Sequence, residues 1–311
     1  MKILITAPSF AKNNPEPLEM LRAKGYNIVR NETGRAYTKK EMCGLLADAD
    51  GVILGVDPCD AEVIAAAPRL KAISRYGVGM NNIDIAAAQA RGIAVCNAAG
   101  ANAAAVADTA MTLLLAVSKK LLLLNDAVRS LCFDEVETYE ANGKTLGLLG
   151  FGNIGAQVAK RAAGFDMRVL AFDVARNEEC AAARGVTFVD TLGELLRSSD
   201  YVSLHLPLLP ETYHIIGEKE LALMKPRSVL INTARGGLVD EKALAKALAS
   251  GALLGAGLDV FEEEPPAANN PLLQLRNCIM TPHAAADTYE ATHLVSIAAA
   301  RNLIAALGES Q

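Results

Sequence analysis

Tryptophan is absent from these 311 residues, and aromatic side chains make up only 5% of them. Packing must therefore come from Ala, Leu, Val and Ile within a hydrophobic content of 51%. Such material suits helices laid closely on parallel strands, which read as continuous apolar runs because both faces are buried. Strong charge is lacking too, the net value being −5. There is no basic block and no basic–aromatic interleaving, so nucleic acid is not an expected partner. Cys43, Cys59, Cys96, Cys132, Cys180 and Cys278 lie far apart without a CxxC pair. That spacing argues against a disulfide framework or a zinc site, and for small buried hydrophobes in a reducing compartment. No run approaches the ~18 uninterrupted apolar residues of a membrane span; the leucines of 113–124 are interrupted by Ser118-Lys119-Lys120. The opening M-K-I-L-I-T-A-P is too short for a secretory signal and reads as a first strand. A soluble cytoplasmic protein, of about two domains by length, is expected.

What is present is alternation. Strands are predicted at 2–7, 26–29, 51–55, 71–74 and 94–96, with helices at 17–24, 39–47, 61–66 and 83–90. The scheme resumes with strands at 145–149, 168–172, 187–189, 201–206, 228–232, 255–259 and 278–281. Alternation of this kind implies βαβ units and an α/β protein with two doubly wound parallel sheets. Two long helices, 103–123 and 287–307, read as bridges between the halves, and Asp287-x-x-Glu290 resembles a capping box at the start of the second.

The most informative stretch runs from Thr145 to Asp173. An apolar run stops at Gly150-Phe151-Gly152-Asn153-Ile154-Gly155, a helical pattern follows, and a second apolar run closes on Asp173. A dinucleotide site needs this order: Gly150 for the tight turn, Gly152 for backbone approach to a pyrophosphate, Gly155 for close helix–strand packing. Phosphates then sit on a helix N-terminus, where free N–H groups and the dipole favour negative charge. Asp173 can accept hydrogen bonds from both ribose hydroxyls and repels a 2′-phosphate, which points to NAD over NADP. Arg176, three residues on, softens that discrimination.

Three ionisable residues sit just after later strands: Arg235 after 229–234, Glu264 after 257–261 and His283 after 279–282. Open α/β sheets bind ligands at the carboxyl ends of their strands. The trio suits a 2-oxo acid. Arginine grips a carboxylate and polarises a carbonyl, histidine exchanges the proton that balances hydride transfer, and glutamate stabilises the imidazolium. No cluster has metal-ligand spacing, and no Ser/His/Asp nucleophile arrangement is evident.

The motifs L-G-L-L-G-F-G-N-I-G (146–155), H-L-P-L-L-P-E-T (205–212), I-N-T-A-R-G-G-L-V-D (231–240), G-L-D-V-F-E-E-E-P (257–265) and T-P-H (281–283) resemble the D-2-hydroxyacid dehydrogenases. The resemblance is nearest to short phosphoglycerate dehydrogenases and glyoxylate/hydroxypyruvate reductases, and covers nearly the whole chain. It implies a flavodoxin-like substrate domain at 1–98 plus 285–311, a Rossmann domain at 99–284, and a cleft between them. It further implies NAD-dependent hydride transfer, with 3-phosphoglycerate or a related anionic 2-hydroxy acid among the substrates. By the same resemblance Arg235 would bind substrate, His283 would be the acid/base with Glu264 its partner, and Asp259 would contact the nicotinamide carboxamide. His205, Leu206, Pro207, Thr212, Thr233, Ala234 and Ala285, with Arg235 and His283, complete the implied cofactor contacts. Arg75-Tyr76-Gly77-Val78-Gly79 matches the carboxylate-binding loop, where freed backbone N–H groups can nest an anion. There Arg75 resembles the arginine that holds an anionic tail, and Tyr76 is expected to crowd the substrate's far end.

Several positions depart from the family pattern: Asn81 for aspartate, Asp108 for glutamate and Ala285 for glycine; a C-terminal regulatory module is not expected. The alternative of another class is an NAD(H)-sensing corepressor on the same fold; formate dehydrogenase normally has glutamine at the Glu264 position. The alanine-rich 101–110 segment offers a face of small side chains, and the family dimerises there, so a homodimer through the NAD-binding domain is expected. His214 and His293 read as packing or surface residues.

Overall fold

Apolar runs of three to five residues become parallel strands throughout a computed structural model that describes residues 1–308. The chain divides into two compact units, Met1–Asn102 with the segment from Ala286 onward, and Ala103–Ala285.

The first unit carries β1 (Lys2–Ile5), β2 (Asn27–Arg30), β3 (Gly51–Leu54), β4 (Ala72–Arg75) and β5 (Ala94–Asn97), in the order β2-β1-β3-β4-β5. Every pair is parallel. Central β3 is buried along its whole length, whereas edge strand β2 is half-exposed and correspondingly polar at Asn27 and Arg30. Helix starts are written locally. Thr38 and Glu41 form a reciprocal capping box, and Asp60 and Asp84 accept backbone N–H bonds at the next two helices.

The helix Tyr289–Gly308 packs on β3, β4 and β5 and on the helix Glu16–Ala23. Ala299, Ala300 and Leu303 join Ile3, Ile5, Phe10, Leu21 and Ile53 in one core. Length and composition alone would let this helix cross a membrane, but half of it is buried inside the unit. Its cap differs from the expected one. The Thr288 hydroxyl, not Asp287, accepts from the Ala291 N–H at 3.0 Å.

The second unit carries β6 (Thr145–Leu149), β7 (Arg168–Phe172), β8 (Val186–Phe188), β9 (Tyr201–Leu204), β10 (Val229–Asn232), β11 (Gly255–Leu258) and β12 (Cys278–Met280). Their order is β12-β11-β10-β9-β6-β7-β8, all parallel. The chain runs outward from β6 to β8 and then returns to the other side of β6 at β9. The carboxyl ends of β6 and β9 therefore form the topological switch point where such sheets bind ligands.

The predicted helix over 103–123 is two helices, Ala103–Ser118 and Leu121–Arg129. Lys120 takes a left-handed backbone (φ 48°), which no α-helix continues through. Ala107 and Ala110 lie in this unit's core with Ala156, Val158 and Ala159, and the helix Ala103–Ser118 packs on the helix Asn153–Ala162 and strands β10 and β11. What stays exposed follows the break: Leu121, Leu122, Val128, Leu131 and Phe133. The six cysteines are free thiols. Only Cys59 and Cys278 are fully buried, and burial pushes both thiols up to about 12.

Candidate active site

At the switch point, the turn after β6 is shaped by contacts that only glycine permits. Gly150 has φ 100°, and a Cβ there would lie 2.8 Å from the His205 carbonyl carbon. Gly155 rests on the Gly150 carbonyl, whereas around Gly152 there is open space. Gly152 begins the helix Asn153–Ala162 without any side-chain cap, so its first N–H groups face outward for an anion. Across the turn, Asp173 accepts from the Phe151 N–H at 2.7 Å and the Ala175 N–H at 2.9 Å. Arg176 is held elsewhere: it pairs with Asp190 at 2.8 Å, bonds the Val189 carbonyl and lies over the Phe188 ring.

Two buried polar atoms beside this turn lack partners within the protein. They are His205 Nδ1, past the end of β9, and Thr233 Oγ1, past the end of β10. The β9–β10 register sets Leu204 against Asn232, so His205 and Thr233 are neighbours. Burial drops the His205 imidazole to about 3, and its Nε2 lies 3.0 Å from Ser203 Oγ. A neutral imidazole, a spare hydroxyl, an open glycine and uncapped N–H groups gather at the switch point. This donor set fits a dinucleotide, since orphaned buried polar atoms otherwise cost stability. Among the described residues no group of three or more His, Cys, Asp or Glu side chains could hold a metal ion.

Next along the sheet come the loops after β10, β11 and β12. His283 Nδ1 lies 2.7 Å from Glu264 Oε2, and Glu264 Oε1 accepts from the Phe261 N–H at 3.1 Å. With Nδ1 committed to the carboxylate, Nε2 is left to exchange a proton. His283 itself is left-handed (φ 52°), a region that carries some backbone strain for any side chain. The strain is held by Asp259, which is 1% exposed. Its carboxylate accepts from Thr281 Oγ1 at 2.5 Å and from the Ala284 and Ala285 N–H groups at 2.9 Å, and its carbonyl accepts from the His283 N–H. Arg235 is half-buried; burial lowers its pKa and the Glu264 charge opposes that shift. Asn232 fixes its backbone, donating to the Arg235 carbonyl at 2.9 Å and accepting from the Ala234 N–H at 3.0 Å.

Residues 111–285 match the family profile described as D-isomer specific 2-hydroxyacid dehydrogenase, NAD binding domain. The chain belongs to the D-isomer-specific 2-hydroxyacid dehydrogenases. A glyoxylate reductase of Thermococcus litoralis is 47% identical over 91% of this chain and 88% of its own length. A D-3-phosphoglycerate dehydrogenase of Methanocaldococcus jannaschii is 41% identical over 94% of this chain but only 54% of its own length. Among solved structures, D-lactate dehydrogenase from Aquifex aeolicus, complexed with NAD and lactic acid, aligns with a TM-score of 0.84. It is 31% identical, over 100% of this chain and 96% of that one.

Within this dehydrogenase the sequence-predicted residues fall into groups. His283 and Glu264 touch, and the Glu264 charge acts on Arg235. Gly150, Gly152, Asn153, Ile154, Gly155, Asp173, His205 and Thr233 line the switch point. The Asp259 carboxylate accepts three hydrogen bonds within the protein and anchors the His283 loop. The Thr212 hydroxyl also turns inward, closing its own loop through the Pro207 carbonyl at 2.7 Å and the Leu209 N–H at 2.8 Å.

In the other unit, Arg75 folds back on its own loop, donating to the carbonyls of Tyr76 and Leu54. Tyr76 turns away from the loop. Its ring meets Phe10 edge-on at 5.9 Å, and its hydroxyl lies 3.4 Å from the Ser9 and Thr292 carbonyls. It is thus a packing residue of that unit, contrary to the expected crowding of substrate. Asn232 was not singled out from the sequence, although its place between a buried strand and an arginine is a signal for an Asx turn.

Proposed function

We propose that this dehydrogenase reduces short 2-oxo acids, such as glyoxylate or hydroxypyruvate, to D-2-hydroxy acids with NADH, and runs the reverse oxidation with NAD. The observation carrying this reading is the 2.7 Å His283–Glu264 contact beside half-buried Arg235 at the carboxyl ends of adjacent strands. When bound, NAD(H) supplies or takes up the hydride. Arg235 grips the substrate carboxylate and polarises the carbonyl through its planar fork. His283 delivers a proton from Nε2 to the carbonyl oxygen in reduction and recovers it in oxidation. Glu264 holds the ring orientation and balances the imidazolium charge. The Gly77-Val78-Gly79 N–H groups are proposed as a second anchor for the carboxylate. The inward turn of Arg75 favours a substrate without a phosphate tail, and so favours the reductase substrates over 3-phosphoglycerate.

NAD is proposed over NADP because Asp173 presents a carboxylate while Arg176 is tied to Asp190. A homodimer is proposed through the exposed apolar segment 121–133, whose Leu131 and Phe133 are 87% and 81% exposed. The deciding experiment is NADH and NADPH oxidation against glyoxylate, hydroxypyruvate, pyruvate and 3-phosphohydroxypyruvate. Turnover of the first two with NADH is expected. Silence across the panel with tight NADH binding would favour the sensor reading, and equal efficiency with NADPH would contradict the role of Asp173.

A further inference from the structure

Glu264 follows two other acids, Glu262 and Glu263, and Glu262 is engaged with Glu241 and His214. The Glu262 backbone N–H donates to Glu241 Oε1 at 2.7 Å, while the Glu241 backbone N–H donates to Glu262 Oε1 at 3.1 Å. Each carboxylate thus grips the other residue's main chain. Glu241 is 9% exposed, and its second oxygen accepts from Asn270 Nδ2 at 2.5 Å. Glu262 Oε2 lies 3.2 Å from His214 Nε2, and the His214 ring stacks on Tyr213 with centroids 4.0 Å apart. Both acids stand at the start of the helix Glu241–Ala249, whose dipole tolerates the paired negative charge. The bracket is pressed directly against the arginine loop. A Cβ on Gly236, next to Arg235, would lie 1.8 Å from the Phe261 carbonyl carbon.

Resting on the function proposed above, we infer that Glu241 and Glu262 are positioning residues. Together they fix the 261–264 segment against the 235–237 loop and so set where Glu264 meets His283. The Phe261 N–H bond to Glu264 Oε1 carries the constraint from the bracket to the carboxylate. A glutamate that begins an ordinary surface helix needs none of this; a reciprocal main-chain grip between two distant loops does.

The test compares Glu262→Ala, Glu241→Gln and Glu264→Ala with the wild type. Glu262 is partly exposed, so its variant keeps the inference falsifiable should Glu241→Gln fold poorly. With glyoxylate as substrate, Glu262→Ala is expected to lower kcat about 10-fold, because small misplacements of catalytic groups are costly. The NADH Kd, read by fluorescence, should stay within about twofold. Added to Glu264→Ala, the same change should cost less than about twofold more, since residues acting through one group are not additive. Amide hydrogen exchange over 261–264 should rise in both bracket variants while residues 153–162 are unaffected. Wild-type kcat in Glu262→Ala, a full multiplicative loss in the double variant, or unchanged exchange over 261–264 would each overturn the inference. The exchange result stands whether or not any 2-oxo acid is turned over. A silent substrate panel with loosened 261–264 exchange therefore rejects the functional reading while retaining the bracket.

Discussion

Arg75 and Arg235 occupy similar places, each at the carboxyl end of a buried parallel strand, and the protein treats them differently. Arg75 closes β4 and spends its guanidinium on main-chain carbonyls of its own neighbourhood. Arg235 follows β10 and is half-buried; its guanidinium also donates to a local carbonyl, that of Ala234 at 2.6 Å, but it shares its surroundings with an acid that in turn holds a histidine. A strand end offers a position to any arginine. Chemistry requires charges arranged to be completed by a ligand, and the second arginine stands beside the Glu264–His283 pair.

That contrast can be broken by mutation. Arg235→Ala should lower kcat/KM for glyoxylate about 1000-fold, the loss of two charge-assisted hydrogen bonds to a carboxylate. Glu264→Gln should lower kcat about 10-fold, because the amide orients the imidazole without balancing its charge. Arg75→Ala should cost less than about fivefold, as expected where a side chain folds onto local carbonyls. Steady-state kinetics on the three variants check the order, and equal losses for the two arginines would erase the distinction.

A smaller effect concerns the buried histidine of the same unit. His205 is held at about 3 by burial, below its ordinary value of 6.5. Between those values the unfolded chain binds a proton that the folded chain does not. Stability is therefore full above pH 6.5 and falls as the solution is acidified toward 3, by at most about 1.4 kcal/mol per pH unit. Melting at pH 7 and pH 5 should show a larger loss in the wild type than in His205→Gln; equal losses would contradict the buried neutral imidazole.

Much of this was legible in the residues. Strands β6 and β7 fall where the apolar runs placed them, because strands buried on both faces leave no alternation to misread. The glycine turn was legible because the packing there leaves no room for any other side chain. Other features depend on partners distant in sequence. A backbone reversal at Lys120 carries no glycine or proline to announce it. Thr288 and Asp287 are equally good caps on paper, and geometry alone chose between them. The alanines of 101–110 promised close packing without saying against what, and the structure buries Ala107 and Ala110 in the core of their own unit. Glu241 looks like any acid in a first helical turn. Its grip on Glu262 becomes visible only when residues 21 apart are brought together.

The most direct test is single-turnover reduction of glyoxylate by prebound NADH in His283→Ala, with the NADH Kd measured on the same preparation. The rate should fall by about 100-fold or more, the usual contribution of a general acid, with binding changed by no more than about twofold. Turnover near that of the wild type would remove His283 from proton transfer, and with it the proposed role of the trio.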